Sequence, residues 1–275
     1  MSIKDILVFL DDSAGHEDRV NAAFDISKAH GAHLTGASLA SMKPIHAKSD
    51  NEEVLIRISD KQAHKIADEF AENAVAEGIN VESLVINGGA SKSALKMAQY
   101  ARNADLVILG QPDPSRDNFS RLEDFSQEVI LHSGRPILFM PYIGTRRIGF
   151  KKAMIAWDGT PAASRAIHDS IPLLAKTKEV FILIVESKKQ KEQKNNLMEE
   201  RLIRHLSHHE INVKLMRVNP GSNNVPTTIL NKISEYDVDL LVIGGYGTPT
   251  LKQKIFGSVS TILLKSMIVP VLMSH

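Results

Sequence analysis

Cysteine is absent from all 275 residues, which removes disulfides, thiolate metal sites and cysteine nucleophiles at once. Long apolar runs are absent too, and nothing approaches the roughly 20 residues a membrane-spanning helix needs. The first apolar run, Ile6 to Leu10, stops at Asp11 and Asp12. It is too short for a secretory h-region, so a soluble, cytoplasmic chain is expected. Charge of one sign is lacking: 33 Lys and Arg face 32 Asp and Glu, a formal net charge of +1, which gives no electrostatic case for a nucleic-acid partner. The lysine run Lys188, Lys189, Lys191 and Lys194 is broken by Gln190, Glu192 and Gln193 and reads as a solvated helix start or loop. Neither a Walker A lysine motif nor a complete Gly-x-Gly-x-x-Gly nor a Gly-x-Ser-x-Gly nucleophile elbow occurs. What remains is globular: 43% apolar and 24% charged residues, enough chain for one large domain or two of ordinary size.

The chain repeats itself once, a possibility to be tested before any fold is assigned. Ile6-Leu7-Val8-Phe9-Leu10-Asp11 has a counterpart in Ala153-Met154-Ile155-Ala156-Trp157-Asp158. Each precedes a helical pattern rich in alanine, with Ala22 and Ala23 in one and Ala162, Ala163 and Ala166 in the other. Ala104 to Gly110 matches Val238 to Gly244, and 26 residues beyond each glycine stands a proline, Pro136 and Pro270, opening another apolar run. Asn87 and Gly89 pair likewise with Asn219 and Gly221. The order is kept throughout, so the chain is a duplication.

Within each half, apolar runs alternate with helical periodicity. Half one predicts strands at 5–11, 33–40, 80–86, 105–110 and 136–140, with helices at about 18–30, 52–77, 91–102 and 120–133. Half two predicts strands at 152–158, 179–186, 211–217, 239–244 and 268–273, with helices at 161–174, 191–209, 223–235 and 257–266. Continuous Val/Ile/Leu runs are the mark of strands buried on both faces, as in parallel sheets. The expected fold class is therefore α/β, two tandem doubly wound parallel-sheet domains. Their boundary falls in Pro141 to Arg147, between domains at 1–143 and 148–275. Residues 41–51 read as an excursion after the second strand, either a flap over the first site or an ordinary solvent loop.

Open parallel sheets bind ligands beyond the carboxyl ends of their strands, where strand order reverses. After the fourth strand of half two comes Gly244-Gly245-Tyr246-Gly247, then nine residues, then Gly257-Ser258-Val259-Ser260 at a helix start. Glycines allow close backbone approach, and free N–H groups at a helix N-terminus favour an anion. A loop with Ser258 as a simple N-cap is the alternative on these residues alone.

The spacing Gly-x2-Gly-x9-Gly-Ser, carried by Gly244, Gly247, Gly257 and Ser258, resembles the ATP-binding signature of the universal stress protein family. The resemblance spans the chain as two copies and implies adenine nucleotide α-hydrolase-like domains. It implies that Asp158 lies near the ribose or a phosphate-bound Mg2+, with Ala156 on the adenine-side wall. Val185 would read the adenine through its backbone. Gly244, Tyr246 and Gly247 would line the ribose–phosphate passage, and Gly257, Ser258, Val259 and Ser260 would hold the phosphates. Tyr246 departs from the small polar or basic residue usual there. Lys252 and Lys254 either add positive charge or are solvated loop lysines. The resemblance also implies edge-to-edge pairing through the fifth strands, here as a pseudo-dimer within one chain, and a possible homodimer.

Half one departs from the signature. Gln111-Pro112-Asp113-Pro114 follows Gly110, so Asp113 takes the second glycine position, and Glu123 and Asp124 take the positions of Gly257 and Ser258. Carboxylates repel phosphates and prolines remove backbone donors, so this half is expected not to bind ATP. Asp11 and Asp12 are read as capping rather than catalytic. Among 11 histidines, only His205 and His209 stand at i, i+4 spacing, beside His208, and no His-Glu-x-x-His completes a metal site. The expected function is an ATP-binding, cytosolic stress-response module with its site in the second domain. A slow ATP hydrolase and a scaffold that binds no nucleotide are the alternatives.

Overall fold

The strand-forming runs fold as their composition requires. The structure, a computed structural model, describes residues 2–40, 52–87, 90–113, 115, 119–143, 149–186, 196–245 and 258–275. The chain divides into two compact units, Ser2–Ile148 and Gly149–His275. The first runs β1 (Asp5–Leu10), α1 (His16–His30), β2 (His33–Leu39), α2 (Glu52–Ala76), β3 (Val81–Ile86), α3 (Ala90–Ala101), β4 (Leu106–Gly110), α4 (Phe119–Ser133) and β5 (Ile137–Met140). The second runs β6 (Lys152–Ala156), α5 (Pro161–Leu174), β7 (Glu179–Val185), α6 (Asn196–Ser207), β8 (Val213–Val218), α7 (Val225–Tyr236), β9 (Leu240–Gly244), α8 (Ser258–Ser266) and β10 (Val271–Ser274).

The strand pairs within each unit are parallel. In the first unit the order is β3-β2-β1-β4-β5, and in the second it is β8-β7-β6-β9-β10. The two orders are equivalent, which is what a duplication demands. Each unit leaves its first strand in one direction and returns to the other side of it, so strand order reverses at β1/β4 and at β6/β9. Right-handed crossovers then place the helices before and after the reversal on opposite faces. Accordingly α1 packs on β1, β2 and β4, while α3 packs with α4.

Burial follows the hydropathy. From Ile6 to Leu10 no residue is more than 3% exposed, as expected of an inner strand covered on both faces. β3 and β8 are half-exposed, and charge protects β8 as an outer strand, with Lys214 paired to Glu179. Ring contacts join neighbouring elements: Phe24 of α1 and Phe70 of α2 lie 5.8 Å apart, and Phe9 of β1 and Phe125 of α4 lie 4.9 Å apart.

Local signals set the boundaries. Thr160 caps α5 by accepting a hydrogen bond from Ala163 N, with Pro161 in the first turn, and Asn224 caps α7 in the same way. Gly31 ends α1 in the left-handed region, φ 62°. Some expected bounds shift. β6 ends at Ala156 rather than 158, because Asp158 belongs to a turn. α6 ends at Ser207, short of the expected 209, and Glu210 turns the chain out with φ 62°. The excursion at 41–51, the lysine run at 188–194 and the junction at 144–147 lie outside the described residues. Among the described residues, no helix is long and apolar enough to cross a membrane.

Candidate functional site

The second unit brings part of the expected constellation together at its strand ends. Ala156, the last residue of β6, stands opposite Leu183 of β7 and Ile243 of β9. Val185 is two residues beyond Leu183, and Gly244 one beyond Ile243. Ala156, Val185 and Gly244 therefore end three adjacent strands around the reversal, and Asp158 follows in the loop above β6. Asp158 is exposed, and its Oδ1 accepts hydrogen bonds from Thr160 N at 3.0 Å and Thr160 Oγ1 at 2.7 Å. It is not itself the N-cap of α5. It holds the residue that is, since Thr160 Oγ1 accepts from Ala163 N at 3.2 Å.

Gly244 has a packing reason that its sequence position did not disclose. A Cβ there would lie 2.5 Å from Ala163 N and 2.7 Å from Ala162 C, so only glycine lets the start of α5 close on the end of β9. Gly245 continues outward, its N–H donating to Ser274 O at 2.7 Å. Val259 and Ser260 lie in the first turn of α8, with Ser260 buried. The expectations for Tyr246, Gly247, Lys252, Lys254 and Gly257 lie outside the described residues, as does the Ser258 side chain.

The first unit repeats the turn and then diverges. Asp11 Oδ1 accepts from Ser13 N at 3.0 Å and Ser13 Oγ at 2.6 Å, matching Asp158 with Thr160. Asp11 also receives Arg19 Nη2 at 2.5 Å. Arg19, on α1, is 1% exposed, and its Nε donates to Phe9 O at 2.7 Å. Its guanidinium carbon lies 5.7 Å from the Phe9 ring centroid. A Cβ on Gly110 would overlap Arg19 Nη1. The place against the strand-end glycine taken by the Ala163 backbone in one unit is thus taken by a guanidinium in the other. Burial pushes the Asp11 carboxyl up, but Arg19 and the two Ser13 bonds outweigh it and hold it below the ordinary value of 3.8.

Beyond Gly110 the loop closes on itself. Asp113 Oδ1 accepts from Ser115 N at 2.9 Å and Ser115 Oγ at 2.7 Å. The buried Gln111 side chain accepts from Tyr142 N at 3.3 Å. Between the ends of β1 and β4 a cavity of about 10 Å³ remains, lined by Asp11, Gly110, Asp113, Phe125 and Ser126 among others. Glu123 and Asp124 lie inside α4, about one turn past its start, and do not line that cavity. Phe9 and Phe125 line this cavity together with Asp11 and Asp113, and Arg19 stands against Gly110. Arg19 escaped sequence reasoning. Its signal was a lone arginine in the apolar stripe of Val20, Ala22, Ala23 and Ile26.

The His205 and His209 rings lie 5.0 Å apart, edge to face. Burial, then His209, His168 and His208, pushes the His205 imidazole below its ordinary 6.5. Among the described residues, no group of three or more His, Asp or Glu is arranged to hold a metal ion.

The universal stress protein family model matches residues 2–141 and again 149–275. A universal stress protein from Archaeoglobus fulgidus has the same fold, with a TM-score of 0.76 at 19% identity, covering 98% of this chain and 96% of that one. A functionally unknown protein from Pseudomonas aeruginosa PAO1 gives a TM-score of 0.64 at 14% identity, covering 99% and 92%. A universal stress protein from Pseudomonas aeruginosa UCBPP-PA14 gives 0.63 at 14%, covering 99% and 93%. No functionally curated protein matches the chain. With two successive matches to the family model and a shared strand order in both units, the chain belongs to the universal stress protein family as a tandem member.

Proposed function

We propose that the second domain, 148–275, is an adenine-nucleotide site that takes ATP with Mg2+, and that the first domain, 1–143, has given up that role. The observation that carries this reading is the difference between two equivalent carboxylates. Asp158 is exposed at the reversal of strand order, while Asp11 is engaged by the buried Arg19. Ala156, Val185 and Gly244 surround Asp158 on adjacent strand ends. The sequence then supplies Tyr246, Gly247 and Gly257, and Ser258, Val259 and Ser260 enter α8, whose first amides lack helical acceptors and favour an anion. In this assignment Asp158 faces the ribose or the metal, Val185 offers backbone groups to the adenine, and the glycines and Ser258 to Ser260 cradle the phosphates.

Occupancy shifts a protein's conformational equilibrium by the ligand's differential affinity for each state, so the module is a nucleotide-responsive switch in the cytosol. Pairing of the two domains through their fifth strands, and a homodimer of chains, belong to the same reading; sedimentation over a range of concentrations tests the homodimer alone. The decisive experiment is titration calorimetry of nucleotide-stripped protein with ATP and magnesium. One site per chain, abolished in Gly257→Glu, supports the assignment. Unchanged affinity in that variant overturns it, and no binding by folded, stripped protein favours a scaffold.

A further inference from the structure

We propose that the first domain's crevice is a guanidinium site whose resident occupant is the chain's own Arg19. Each feature that such a site needs is present at the strand ends. The Asp11 carboxylate accepts from Nη2 at 2.5 Å and the Phe9 carbonyl accepts from Nε at 2.7 Å. The Phe9 ring lies beside the cation, 5.7 Å from its central carbon, and Gly110 leaves room for Nη1 where any Cβ would overlap it. A planar, forked cation fits this set, and a lysine ammonium, a single point donor on a flexible stem, does not. Arg19 is 1% exposed, and a charge so buried persists only when paired and hydrogen-bonded. The remaining cavity of about 10 Å³ has room for about one water molecule.

The domain is consequently self-liganded. Its strand ends are held by a side chain of α1, in the place that the Ala163 backbone takes against Gly244 in the second domain. The inference does not depend on what the second domain binds.

The test uses the full chain with Arg19→Ala, followed by hydrogen exchange of β1 and β4. Loss of the buried partner is expected to raise exchange in these segments about tenfold or more. Low-millimolar guanidinium chloride is expected to reverse much of that rise in the variant, against matched sodium chloride, and to leave the wild type unchanged. Trp157 lies in the second domain, and its emission is expected to stay the same. Exchange within about twofold of wild type, or guanidinium acting no better than sodium chloride, overturns the proposal. Arg19→Lys covers the case in which the alanine variant does not accumulate. Faster exchange in β1 and β4 supports a site for the guanidinium shape, and wild-type exchange overturns it.

Discussion

Gly244 and Ala163 approach so closely that a Cβ on the glycine would stand 2.5 Å from the alanine's backbone nitrogen. The contact joins the end of β9 to the first turn of α5, and backbone on both sides leaves little to give way. Gly244→Ala is expected to destabilise the second domain by about 1–3 kcal/mol, the usual cost of overpacking. Urea denaturation of nucleotide-free protein, followed by Trp157 emission, measures it. Wild-type stability without ligand would assign the glycine to ligand contact alone.

Thr160 has two roles at one oxygen. Its hydroxyl donates to Asp158 at 2.7 Å and accepts from Ala163 N at 3.2 Å. Thr160→Ala is expected to cost about 1 kcal/mol, as caps do, and Thr160→Ser to recover most of it. The same urea midpoints decide. Equal loss in both variants would point to the methyl group rather than the hydroxyl.

Asp158→Asn separates the turn from the charge. The amide oxygen still accepts from Thr160, so the melting temperature is expected to hold. ATP binding in magnesium is expected to weaken about tenfold, the worth of one charge-assisted contact. Calorimetry reads the affinity, and phosphate release on the same samples tests hydrolysis. Undiminished affinity would remove Asp158 from the site.

Two histidines give stability a pH dependence. His16 is pushed below 6.5 by burial and then by Arg19, and its buried Nδ1 has no hydrogen-bond partner among the described residues. His205 is lowered by burial and by three other imidazoles. In each case the unfolded chain takes up a proton at higher pH than the folded one. The stability present above pH 6.5 is therefore lost as pH falls through the lowered folded values. His16→Gln and His205→Gln are each expected to flatten the decline of the urea midpoint below pH 6.5. A slope unchanged in both would assign the decline to other groups.

The fold was legible because it rests on patterns that sequence displays directly. Apolar runs stopped by Asp11 and Asp158, the recurring glycines Gly110 and Gly244 and the prolines 26 residues on disclosed the duplication and the alternation of strands and helices. The strand-end positions Ala156, Val185 and Gly244 were legible from where the apolar runs stop, and less so in how those positions are used. Gly244 reads in sequence as part of a phosphate loop, and only packing shows that α5 leans on it. Asp158 reads in sequence as a carboxylate beside a ligand, and only hydrogen bonds show that it also holds Thr160, the cap of α5. Arg19 was opaque for a further reason: an arginine in an apolar stripe declares neither its partner nor its burial. Both came from Phe9 and Asp11 at the end of β1 together with Gly110 at the end of β4, which is far along the chain from them and meets them only at the strand ends.

The two helix starts differ in register, since α1 begins five residues after Asp11 and α5 only three after Asp158. That extra length sets how far the domains have drifted beyond the reach of single substitutions. Transplanting the glycine loop of the second domain into the first would leave α1 displaced and Arg19 against Gly110. Matching the first domain to the second at these strand ends takes three changes: the loop exchanged, two residues deleted and the arginine replaced. The asymmetry between the domains is thus carried by three separate features of the chain rather than by one.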